Sequence, residues 1–88
     1  MSELPGGDLI EAGLEDLARG RESVAALVVS IGAPRLRRLG LAVPPPIPGA
    51  EHRLYEELRR AQPDAAHSQF NALIRRLVSF ERAAECAR

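Results

Sequence analysis

Apolar residues recur along this chain with helical rather than alternating spacing. In GDLIEAGLEDLARG, residues 7–20, Ile10, Leu14 and Leu17 share one face of a 3.6-residue period. Asp8 stands where an N-cap is expected, Glu11 three residues later completes a capping box, and Gly20 suits the C′ position. Glu15 and Arg19 fall at i, i+4 on the polar side, an arrangement that supports a surface helix over 8–19.

The next segment, ESVAALVVSIG, is apolar almost all round, and its β-branched residues alone would suit a strand. No second strand exists to pair with it. A start near Ser23 and a stop at Gly32 favour a buried helix over 23–31. Pro34 then reads as the first residue of a short helix, 34–39, which turns Leu36 and Leu39 inward, leaves Arg35 and Arg38 in water, and closes at Gly40.

Residues 43–49, VPPPIPG, can be neither helical nor within a sheet and form a stiff connector. Such a run also resembles polyproline ligands of SH3 and WW domains, but within a short chain a spacer is the simpler reading. After it, AEHRLYEELRRA sets Leu54, Tyr55, Leu58 and Ala61 along one face and places Glu56 one turn from Arg60, predicting a helix over 50–61. Asp64 is the expected N-cap of a last helix, 64–86. The pattern therefore predicts an all-α fold: residues 1–88 form a single-domain helical bundle of four main helices and one short one, with a proline-rich connector.

The last helix carries the stretch HSQFNALIRRLVSF, residues 67–80, in which polar and apolar groups mix. On a helical wheel Ala66, Phe70, Leu73, Leu77, Phe80 and Ala84 fall in one narrow arc, which explains both phenylalanines as core. Ile74 and Val78 lie beside that arc, so the apolar coverage is wider than one face requires. Asn71, Arg75 and Arg82 point away. Either the short helix or the proline connector covers Ile74 and Val78, or they anchor a contact with a partner protein or a second copy, with Asn71 and Arg75 at its rim.

Composition narrows the function. A chain of 88 residues with 45% hydrophobic and 27% charged positions and a mean hydropathy of -0.14 has the profile of a small globular domain. No apolar run is long enough to span a bilayer, and MSELPGGD has no secretory pattern, so a cytoplasmic protein is expected. One cysteine, Cys86, precludes an internal disulfide.

His52 and His67 sit at the starts of separate helices without a catalytic or metal-ligand neighbour at motif spacing, so neither an enzyme nor a metal or cofactor site is expected. Twelve basic residues, all arginine, balance twelve acidic ones. The bulk attraction that drives nucleic-acid binding is therefore missing. Helix, glycine turn and basic helix over 22–41 do suggest a helix-turn-helix, with Arg35, Arg37 and Arg38 as contacts. The second helix is too short, however, and Arg38 occupies a place where the motif needs an apolar residue. The favoured expectation is a protein–protein interaction module, self-pairing as a homodimer; nucleic-acid binding is the alternative.

Overall fold

The computed structural model describes residues 3–87. Four α-helices follow one another: α1 (Gly7–Ala18), α2 (Val24–Arg38), α3 (Ala50–Ala61) and α4 (Ala66–Cys86). No strand occurs among the described residues.

α2 is the hub, packing against each of the other three helices. Its all-round apolar composition is the reason: Ala26, Leu27, Val28, Val29, Ala33 and Leu36 are fully buried, reaching neighbours on every side. One core cluster draws Ile10 from α1, Leu54 from α3 and Leu77 and Phe80 from α4 around these residues. Two glycines allow the close crossings. A Cβ on Gly13 would run into the Ala25 carbonyl oxygen and Val29 Cγ2, so α1 approaches α2 at backbone distance. A Cβ on Gly32 would stand 2.8 Å from Leu77 Cδ1, so α4 lays Leu77 directly over the bare backbone of α2.

Helices α1 and α2 end alike. Gly20 and Gly40 take positive φ, of 71° and 96°, and each closes a Schellman pair: Gly20 N–H to Leu17 O and Arg21 N–H to Asp16 O, then Gly40 N–H to Arg37 O and Leu41 N–H to Leu36 O. At the start of α2, Ser23 Oγ accepts from Ala26 N–H at 3.0 Å and donates to Asp16 Oδ2 at 2.6 Å, tying cap to preceding helix.

Four expectations need correction. The separate helix over 34–39 does not exist, because α2 continues through Gly32 and Pro34 to Arg38. Losing one backbone donor at Pro34 is outweighed by burying Ala33 and Leu36 on either side of it. Asp8 is not a cap: α1 begins at Gly7 behind a left-handed Gly6, whose absent Cβ leaves room for the Arg76 carbonyl of α4, while Asp8 pairs with Arg76 across 3.2 Å. Asp64 is not a cap either, since α4 begins two residues later, at Ala66, which is buried. The charge pairs of α3 also shift, to Glu56–Arg59 and Glu57–Arg60 at i, i+3 in place of Glu56–Arg60.

The connector is anchored along α2. Ile47 N–H donates to Ser30 Oγ at 3.0 Å, Arg37 Nη2 donates to the Val43 and Pro44 carbonyls, and Val43 and Ile47 pack on the core cluster.

Candidate interaction surface

α4 has 21 residues, about 30 Å of helix, and it reaches across both α3 and α2. Its core face is the one the wheel predicts, with Ala66, Leu77 and Phe80 buried and Phe70, Leu73 and Ala84 packed against the cluster. The apolar surface does not stop there. It continues on both flanks of the helix.

On one flank, Ile74 and Val78 are half-buried and belong neither to the core cluster nor to the side chains packed on it. Beside them Asn71 and Arg75 are exposed, and Asn71 Nδ2 lies 3.3 Å from His67 Nε2. One turn earlier Phe70 meets Tyr55 of α3 edge-on, ring centres 6.0 Å apart, closing that end of the strip. The four residues expected at a partner interface thus share one stretch of helix surface.

The opposite flank holds a feature that periodicity does not show. Val24, Leu58, Ala61, Ala72 and Leu73, from three helices, line an open apolar groove of about 620 Å³. Val24 is the exposed large hydrophobic residue there, at 37%. Its rim is uncharged in sum: Gln69 Nε2 donates to Gln62 Oε1 at 2.8 Å, and Arg76 is answered by Asp8.

The arginines considered for nucleic-acid contact are engaged within the chain. Arg35 donates to Glu85 at 2.9 Å and stands 4.0 Å from Glu81, while Arg37 is turned onto the connector's carbonyls. Arg38 is exposed on α2 beside this cluster. Glu81 is the charged residue that sequence reasoning missed. It is buried, with Oε2 3.3 Å from the space above Gly32. Desolvation raises its carboxyl pKa from the ordinary value, and the charges of Arg35 and Arg38 oppose that shift. Its place one turn after Leu77, next to Phe80, was the available signal.

His52 lines a second cleft, of about 510 Å³, between α2, the connector and the start of α3. The nearest hydroxyl there, that of Ser30, is occupied by the Ala26 carbonyl and the Ile47 N–H. His67 lies on another helix, paired with Asn71. The Ser30 hydroxyl proton is thus directed at a backbone carbonyl and not at the imidazole of His52. Among the described residues, no three His, Cys, Asp or Glu side chains are grouped to hold a metal ion. No described helix is long and apolar enough to cross a membrane. Cys86 is exposed near the end of α4. No family model, curated protein or solved structure matches this chain.

Proposed function

We propose that the protein is a non-catalytic, cytoplasmic interaction module, a small helical bundle that docks another protein, or a second copy as a homodimer, on the outer strip of α4. Ile74 and Val78 anchor the contact; Asn71 and Arg75 form its rim. The observation that carries this reading is that both anchors stand outside a core already filled by the other face of the same helix.

A binding strip and a structural wall respond differently to charge. Val78→Glu should cost less than about 1 kcal/mol in urea denaturation, against about 2–5 kcal/mol for Leu77→Ala on the buried face. Equal losses would make Val78 part of the core and remove the surface. Sedimentation velocity on the unmodified protein detects the homodimer, and Val78→Glu should return any such dimer to monomer.

A further inference from the structure

Among the described residues, most arginines are answered from within the chain. Arg19 pairs with Glu15, Arg21 with Asp16, Arg35 with Glu85, Arg53 with Glu22, Arg59 with Glu56, Arg60 with Glu57 and Arg76 with Asp8. Arg37 donates to two carbonyls, and Arg38 also has an interaction. Arg75 and Arg82 have no such partner among the described residues. Seven positions apart, both exposed, they stand about 10 Å from one another along a single edge of the Ile74–Val78 strip. Further along the helix, Glu81 on the core side of the strip and Glu85 in line with it are answered by Arg35.

We infer that the strip is built for an acidic amphipathic segment of another protein, which lays an apolar face on Ile74 and Val78 and brings carboxylates to Arg75 and Arg82. This rests on the interaction-surface reading above and selects its partner. A second copy fits less well, because antiparallel pairing of two α4 helices across this strip sets the Arg75–Arg82 edge of each against the same edge of the other. A phosphate backbone fits less well too, since two cations beside an apolar anchor pair neutralise few phosphates and leave the anchors without an apolar partner.

The test uses two synthetic amphipathic helices of about 18 residues, five turns, with the same leucine face and either Glu or Lys along its edges. Binding to the full chain is read by fluorescence anisotropy. The Glu-edged peptide should bind at least about tenfold more tightly than the Lys-edged one, the size expected when two exposed charge pairs turn from attraction to repulsion. Arg75→Glu with Arg82→Glu should invert the order. Ile74→Ser with Val78→Ser should weaken the Glu-edged peptide, with circular dichroism confirming that each variant remains helical.

Equal affinity for the two peptides, with both weakened by the serine pair, would overturn the acidic partner and leave the interaction surface standing. Affinities untouched by the serine pair would overturn both. The inference also fails if no Glu-edged peptide binds up to about 1 mM, where affinity is weaker than about 4 kcal/mol, if a short DNA duplex binds better than either peptide, or if the unmodified protein is a dimer whose contact Val78→Glu abolishes.

Discussion

Leu77 rests on Gly32, and that contact predicts a compensating pair of substitutions. Leu77 is only 4% exposed, so Leu77→Ala removes a packed side chain and should destabilise by about 2–5 kcal/mol. That is a large part of the roughly 4–13 kcal/mol expected of a domain this size. Gly32→Ala alone adds a methyl 2.8 and 3.1 Å from the two Leu77 methyls, an overpacking worth about 1–3 kcal/mol. The gain of about 1 kcal/mol for alanine over glycine inside a helix reduces the net loss to about 0–2 kcal/mol. In the double variant the obstructing methyls are gone and the new Cβ occupies part of the void, with Glu81 Oε2 at 3.3 Å as its remaining close neighbour. The double variant should therefore be more stable than Leu77→Ala by about 1 kcal/mol, giving a coupling of about 1–3 kcal/mol in favour of the pair. Urea denaturation of all four proteins measures it, provided the slope m stays constant. Losses that add to within about 0.5 kcal/mol would show that α2 and α4 do not meet at this point.

Other consequences follow from single contacts. Ser23→Ala removes the cap of α2 and strips Asp16 of a hydrogen bond, and should cost about 0.5–2 kcal/mol by chemical denaturation. Glu81 carries a folded-state pKa raised chiefly by desolvation, so its contribution to stability is fully present below its unfolded pKa and is lost as pH rises through the folded value. Glu81→Gln, facing Arg35 and Arg38 of α2 and Glu85 of its own helix, should accordingly be more stable than the unmodified protein at neutral pH. The difference should shrink as the solution is acidified, as urea midpoints across pH would show; a gap that widens toward acid would reverse the assignment.

Sequence periodicity read α3 to the residue, because a left-handed glycine precedes it and the Gln62–Pro63 pair follows it, both local signals. It divided α2 in two for an equally local reason. Proline inside a helix costs about 3 kcal/mol on propensity alone, which favours a break at Pro34. The opposing terms are tertiary: Leu36 and Ala33 are buried by elements far along the chain, and Leu77 reaches Gly32 from 45 positions away. The start of α1 was misplaced by the same kind of effect, since Gly6 is fitted to a carbonyl of α4, and no pattern within residues 3–11 encodes that partner.

The candidate surface divides along the same line. Ile74, Val78, Asn71 and Arg75 share a helix face by periodicity alone, so their grouping was legible. The groove around Val24 was not, because it exists only where three helices meet. Charge was the least legible property, since a formal sum of zero says nothing about which cations are answered. Arg35 finds Glu85 across 50 positions, and Arg76 finds Asp8 across 68. These long-range pairs quiet the arginine cluster that looked most like a nucleic-acid contact, and with the local pairs of α1 and α3 they leave Arg75 and Arg82 unanswered among the described residues, beside the apolar strip. Neutrality of the whole chain thus coexists with a cationic edge on α4, and a partner approaching that edge meets the local field within a Debye length of about 8–10 Å. The pattern of pairing, more than the total charge, sets which segment α4 can accept.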